Sequence, residues 1–388
     1  MANDKFTDFM LDEMHLDVRS LARKFADEKV AAVATELDQK HEYPLDLIKE
    51  MGQLGLLSSC IPEEYGGAGL DVLSHVLVME EVARHSGTLG FVVDAHCSLG
   101  MMPILFGGTE EQKQKYLPKA ASGEYILSFA LTEPQGGSDA GGTKTTAVLD
   151  GDEFVINGAK SWITNTEVGD VYLVCCKTDL KAPGSKGISL IMVPKGTPGM
   201  DFGLEEKKIC IRGSHTSQIF FNDCRVPKEN LVGELHNGLP LFMMGLDEGR
   251  IAIGAVSVGM AQGVMERAAR YAKERVAFGK PIIKHQAIGF MLAEMETEIA
   301  AARAMLYNVA KMKDAGLPFR REAAMLKLVT SKMVCDVCEK GIQVMGGNGL
   351  SEEYEVERFM RDSRLCTIGE GTTEINKMLI SRYVEKKY

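Results

Sequence analysis

The chain has 388 residues, enough for two or three domains with substantial cores, and its 45% hydrophobic and 25% charged residues leave no case for disorder. A net charge of −10 argues against a protein that holds nucleic acid by neutralising phosphates, while a local basic pocket for a nucleotide phosphate stays open. The longest uncharged run, 251–265, is broken by glycines and shorter than the ~20 residues that span a bilayer. The acidic opening residues carry no apolar secretory core, so we expect a cytoplasmic protein without a membrane span.

In chain order, the first third reads as helical. Val18, Leu21, Ala22 and Phe25 are spaced for one apolar face. Pro44 opens a second helical segment in which Leu47, Met51 and Leu54 repeat the pattern, and Thr109 with Gln112 has the spacing of a capping box. The character changes near Tyr125, where β-branched and aromatic runs broken by turn pairs begin. Runs 145–149 and 153–156 flank Asp150-Gly151, and a second hairpin signal, Asn157-Gly158, precedes 159–164. Runs 171–176, 187–193 and 217–221 supply further strands, which together predict a small antiparallel barrel or sandwich. After about Pro240 the helical period returns. Met291, Met295, Glu298 and Ile299 belong to one long pattern and 323–344 to another, predicting an antiparallel bundle. The expected division is an N-terminal helical domain over 1–125, a middle β domain over 126–235 and a C-terminal helix bundle over 236–388. Cys335 and Cys338 form a C-x-x-C inside a helical pattern with no second ligand pair nearby. They are read as core thiols, and no metal is expected.

The most informative segment is 361–375. Glu370 stands beside Gly371 just ahead of a helix start that Thr372 or Thr373 can cap, and Ile375, Leu379 and Tyr383 follow at helical spacing. Such a carboxylate can reach a ligand while its small neighbours stand aside; alone, it would suit a solvated acidic loop as well. No G-x-G-x-x-G follows a strand, and Gly279-Lys280 lacks the upstream glycine of a P-loop, so neither a Rossmann nor a Walker framework would hold a dinucleotide. Segment 131–138 offers instead the Thr132 and Ser138 hydroxyls and a glycine backbone open to close approach. The single tryptophan, Trp162, stands near Thr164, which can hydrogen-bond a ring edge while the indole stacks. A tryptophan in a strand serves a core just as readily.

Together, LTEPQGGSD at 131–139, KSWITN at 160–165, QVMGGNG at 343–349 and the segment 361–375 resemble the signatures of the acyl-CoA dehydrogenase family. The resemblance keeps the family's order and spacing from about Phe6 to the C-terminus. It implies an FAD-dependent desaturation of an acyl-CoA thioester. Leu131, Thr132, Gly137, Ser138, Trp162, Ile163 and Thr164 would then hold the isoalloxazine ring. Arg275, Phe278 and Gln286, with Gln343, Gly346 and Gly347, would meet the FAD of a neighbouring subunit, and Thr372 and Glu374 would finish that site. On the substrate side the resemblance sets Asp247, Arg250 and the Ser138 backbone against the CoA portion; by spacing alone, Asp247 and Arg250 make an ion pair equally well.

Glu370 would remove the proton next to the thioester carbonyl while a hydride leaves the following carbon for the flavin. A helix start favours its carboxylate and a dry pocket raises its pKa; we expect desolvation to prevail. A flavin site shared between subunits implies a homotetramer, a dimer of dimers, and the family passes its electrons to an electron-transferring flavoprotein. An acyl-CoA oxidase and a non-catalytic acyl-CoA- or flavin-binding protein are the competing readings.

Several positions depart from relatives. Isovaleryl-type members take their base from the earlier helix, where this chain has Gly249. Glu248 is adjacent, but one residue turns a helical side chain by ~100°, so Glu370 remains the base. Glutaryl-type members carry an arginine near position 90, and Gly90 argues against that substrate. Gly249, Gly369 and Gly371 withhold side chains near the reacting carbons, which favours a short, wide acyl group, branched or alicyclic. Asp94, which the resemblance places along the acyl pocket, is a second candidate acid or base, because a buried carboxylate is costly unless used. A helix-capping role would serve it as well. If used, it would take a proton beyond the α position and convert a cyclic enoyl-CoA to a dienoyl-CoA.

Overall fold

The computed structural model describes residues 5–388, and the first four residues, part of the opening on which the cytoplasmic expectation rests, lie outside the described residues. The N-terminal part comprises α1 (Lys5–Asp8), α2 (Glu13–Phe25), α3 (Ala31–Lys40), α4 (Leu45–Gln53), α5 (Val72–Ala83), α6 (Gly87–Asp94), α7 (Met102–Gly107) and α8 (Glu110–Ala121). The Thr109–Gln112 capping box forms with both of its hydrogen bonds, and Pro44 is the N-cap of α4. The α2 stripe is narrower than its spacing suggests: Ala22 and Phe25 are buried, whereas Leu21 faces out. Neighbouring helices cover only one flank of α2, and α5 is the element it packs against.

A π-helical stretch, Ala95–Met101, joins α6 to α7. The whole run Gly87–Gly107 is apolar and long enough to cross a membrane, but 89% of its window is buried inside the fold. Asp94 is the one charge in this run, a site where a π-bulge frequently marks function. α5 lies beneath it, and α5 in turn packs on the C-terminal helices through Glu80, whose carboxylate accepts from Arg303 Nε at 2.7 Å and Tyr307 Oη at 3.1 Å.

The middle part is one eight-stranded sheet built from β1 (Leu127–Ala130), β2 (Thr146–Asp150), β3 (Glu153–Thr164), β4 (Val171–Lys177), β5 (Ile188–Pro194), β6 (Met200–Phe202), β7 (Thr216–Pro227) and β8 (Leu231–Val232). Its order is β6-β7-β3-β2-β4-β5-β8, with β1 added on β4. Most pairings are antiparallel; β1 and β2 meet β4 in parallel. Asp150-Gly151 does turn β2 into β3. Asn157-Gly158 does not turn the chain: it lies inside β3 at a register shift against β7. Gly158 has φ +141°, and a Cβ on it would sit 2.7 Å from the Thr145 backbone, so the glycine serves a bulge and a close approach rather than a hairpin.

The C-terminal part contains α9 (Leu239–Glu274), a short hairpin of β9 (Val276–Ala277) and β10 (Lys280–Pro281), α10 (Gln286–Asp314), α11 (Arg320–Met345), α12 (Val356–Cys366) and α13 (Thr373–Lys387). α9, α10 and α11 pack on one another, and α12 and α13 lie on α11. The middle of α9 is buried all round because α5, α10 and α11 enclose it.

Candidate active site

Segment 131–133 leaves β1 and is stitched to β3. Lys160 Nζ donates to Leu131 O at 3.1 Å and to Glu133 Oε1 at 2.7 Å, while Ser161 N donates to Thr132 O at 2.9 Å. Glu133 also accepts from Thr143 Oγ1 and from the backbone N–H groups of Lys144 and Thr145. These bonds and the Lys160 charge hold the Glu133 carboxyl down at about 2 despite its burial. Neither Glu133 nor Lys160 stood out as a site residue in the sequence; a charged pair inside strand-forming runs was the available signal.

Next along β3, the register against β7 slips between Lys160 and Ile163, and Trp162 takes φ +59°. A positive φ on an aromatic residue is uncommon and persists only where the surroundings enforce it. The bulge throws the indole outward, 60% exposed, beside a half-buried Thr164 and a fully buried Ile163. Trp162 is therefore no core residue. The exposed Gly137 and Ser138 lie in the adjoining segment.

A second set of predicted residues gathers at the end of the bundle. Arg275 caps α9, Gln286 begins α10, and the hairpin between them carries Phe278 at φ +51° and 96% exposed. Gln343 lies on the last turn of α11, followed by Gly346 and Gly347, where an added Cβ would meet nothing within 4 Å. Asn348 joins that turn to α9 by donating to Tyr271 Oη at 3.1 Å. Among the described residues, no hydrogen bond links this set to Trp162 or to 131–138.

The base candidate sits in the turn between α12 and α13. Glu370 has φ +53° and reaches its carboxylate over Gly249 of α9, where an added Cβ would fall 1.9 Å from Oε2. The space left by Gly249 is therefore taken by Glu370 and is not free for a wide acyl group, a correction to the expectation from sequence. At Gly369 a Cβ would make only ordinary contact with Leu365, so that position does leave room. Gly90 presses on Val256 of α9, a helix contact. Glu248 turns away and pairs with Lys313 of α10.

Asp94 is 1% exposed, and neither of its oxygens nor Glu370 Oε2 completes a hydrogen bond. Burial raises both carboxyls. Asp94 rises furthest, pushed also by the neighbouring Glu370 charge, while Asp94 itself and the cations Lys327 and Arg250 restrain Glu370. The stronger push on Asp94 makes it the harder of the two to ionise. Burial is the largest influence on Glu370 and raises it.

Arg250 pairs with Asp247 and is buried, its Nη2 3.7 Å from where a Cβ on Gly371 would lie. Arg250 thus lies beside the turn that carries Glu370. Asp247, which also meets Arg320 at 3.4 Å, lines an open groove of about 710 Å³ with Lys186, His236 and Met243. Thr372, not Thr373, caps α13 by accepting from Ile375 N at 3.3 Å, and Glu374 lies exposed in its first turn. Lys327 was missed in the sequence. It is 1% exposed on α11 and donates to the carbonyls of Gly369 and Gly371.

Three domain models of the acyl-CoA dehydrogenase family match this chain: the N-terminal domain over residues 12–124, the middle domain over 128–224 and the C-terminal domain over 236–385. A short-chain-specific acyl-CoA dehydrogenase of Clostridium acetobutylicum is 43% identical, covering 96% of this chain and 98% of that protein. The solved butyryl-CoA dehydrogenase of Megasphaera elsdenii is 40% identical with a TM-score of 0.94, covering 97% of this chain and 99% of that one. A chain from a structure described as an electron transferring flavoprotein of Acidaminococcus fermentans is 42% identical with a TM-score of 0.94, covering 96% and 98%. With its helical, sheet and helical parts in that order, the chain belongs to the acyl-CoA dehydrogenase family and is an FAD-dependent oxidoreductase that desaturates an acyl-CoA thioester.

Proposed function

We propose that the substrate is a short-chain acyl-CoA, that Glu370 removes its α-proton, and that an electron-transferring flavoprotein takes the electrons. The observation that carries this reading is the buried Glu370 carboxyl, aimed over Gly249 with the cations Lys327 and Arg250 beside it. A thioester α-proton is weakly acidic, so its removal needs a positioned base in a dry site. Glu370 accepts that proton, and Arg250 and Lys327 keep the pocket's charge balanced. FAD, when bound, supplies the hydride acceptor. Trp162, Thr164 and 131–138 fit one side of its ring, and Gly346 and Gly347 leave room for a ribose or phosphate from a neighbouring subunit. The short-chain assignment is supported by the names of the Clostridium and Megasphaera relatives, and the flavoprotein partner by the Acidaminococcus chain. The reading includes a cytoplasmic enzyme, which cell fractionation tests.

The experiment is flavin bleaching by butyryl-, isobutyryl-, cyclohexanecarbonyl- and cyclohexenecarbonyl-CoA. Butyryl-CoA should be preferred, and Glu370→Gln should keep its flavin while losing about 10²- to 10⁴-fold in turnover. Near-normal turnover in that variant would remove Glu370 from the mechanism. Peroxide formed at the rate of turnover in air would favour the oxidase reading instead. The cyclic dienoyl-CoA reading needs Asp94 as a base, and burial together with the Glu370 charge works against its ionisation; preference for cyclohexenecarbonyl-CoA would restore it.

A further inference from the structure

Glu370 keeps a left-handed backbone although it is not a glycine. Such a conformation persists only where neighbouring groups over-determine it. Three anchors surround this turn. Asn376 Nδ2 donates to the carbonyls of Gly371 and Thr372 at 2.9 and 3.0 Å, and Ser331 of α11 donates to Cys366 O at 2.7 Å. Among the described residues, only Lys327 bonds the carbonyls on both sides of Glu370. Its ammonium is buried without a carboxylate in hydrogen-bond contact, an arrangement too costly to persist unless its donors are used.

We propose that Lys327 is a positioning residue for proton abstraction: by clamping the carbonyls of Gly369 and Gly371 it fixes the backbone of Glu370 and aims its carboxylate over Gly249. This rests on Glu370 being the base. The clamp also places a positive charge next to a carboxylate that burial would otherwise neutralise. The groups facing the ammonium are Glu370, Arg250 from α9, Asp94 from α6 and the Cys366 thiol ending α12. Burial outweighs its anionic neighbours and brings the lysine down to about 8. Above that pH the ammonium loses its charge, its bonds to the two carbonyls weaken, and Glu370 loses both its aim and its counter-charge.

The test isolates the proton step. A 3-thiaacyl-CoA has acidic α-hydrogens but no hydrogen on the atom that would give up hydride, so the enzyme can only exchange its α-hydrogen with solvent deuterium. In each exchange the α C–H bond breaks, Glu370 takes the proton, and the electron pair passes into the enolate until a deuteron returns. Lys327→Met in the flavin-loaded protein should slow this exchange on the order of 10²-fold, the cost of about 1 Å of misplacement, with flavin content and thioester affinity retained. The wild-type exchange rate should fall above pH 8, and Lys327→Arg, which stays charged, should abolish that fall. Wild-type exchange in Lys327→Met, alongside none in Glu370→Gln, would overturn the clamp alone. Wild-type exchange in Glu370→Gln would instead overturn the base. Should the methionine variant not fold, an alkaline fall unchanged in Lys327→Arg is sufficient to overturn the proposal.

Discussion

At Asp94, burial and the adjacent Glu370 charge both favour the protonated acid. A group whose folded pKa is raised gives stability that is complete below its unfolded pKa, ~3.9 for an aspartate, and lost as pH rises through the folded value. Wild-type stability should therefore decline toward alkaline pH in a way that Asp94→Asn does not, which denaturant midpoints from pH 5 to 9 would measure. The asparagine is neutral and of nearly the same size, so turnover of a saturated thioester at pH 7 should stay within a few-fold. A loss near the ~10²-fold of a general base would show Asp94 taking part in proton transfer. The candidate base was legible in the sequence through the resemblance of segment 361–375 and its companion motifs to the acyl-CoA dehydrogenase family, since a carboxylate flanked by glycines ahead of a capped helix suits a solvated loop as well. Its supports were not: Lys327, Arg250 and Gly249 are far along the chain, and only packing of α9 and α11 around the turn brings them to it.

Among the elements, β3 carries the most function per residue. One face of it is pinned by Lys160 to Glu133, and its bulge expels Trp162. Glu133→Gln would leave the Lys160 ammonium buried and unpaired, which costs about 3–5 kcal/mol. It would also loosen 131–138. We expect a lower denaturant midpoint together with flavin lost on gel filtration; a variant that keeps both would mean that the pair does not hold the segment. Most elements followed from local pattern, including the capping box of α8 and the cap of α13. The misreading of Asn157-Gly158 has a simple cause: a glycine needed for close approach and a glycine needed for a turn look alike in sequence. The run Gly87–Gly107 has the length and composition of a membrane span, and its burial inside the fold shows it to be an enclosed core segment.

For the whole molecule, apolar side chains remain uncovered at the bundle end, with Phe278 96%, Leu350 72% and Val276 58% exposed. The last helix, α13, buries only Asn376 among its described side chains and leaves Tyr383 and Val384 in the open. We propose that this surface is covered by a neighbouring subunit in the homotetramer expected from the shared flavin site. Phe278→Asp should shift sedimentation toward smaller species and lower the flavin content in parallel. A fully flavin-loaded monomer would contradict the shared site.

The sequence by itself determined the order of helical, sheet and helical parts, the family, and the identity of the base candidate. Periodicity, caps and short motifs are local properties that a chain displays before it folds. Tertiary structure alone decided which of two buried carboxyls is harder to ionise, that Glu370 fills the space above Gly249, and that a lysine from α11 bonds the carbonyls of its turn. Those outcomes depend on desolvation and on contacts between residues more than forty positions apart, and neither quantity exists until the helices close around the site.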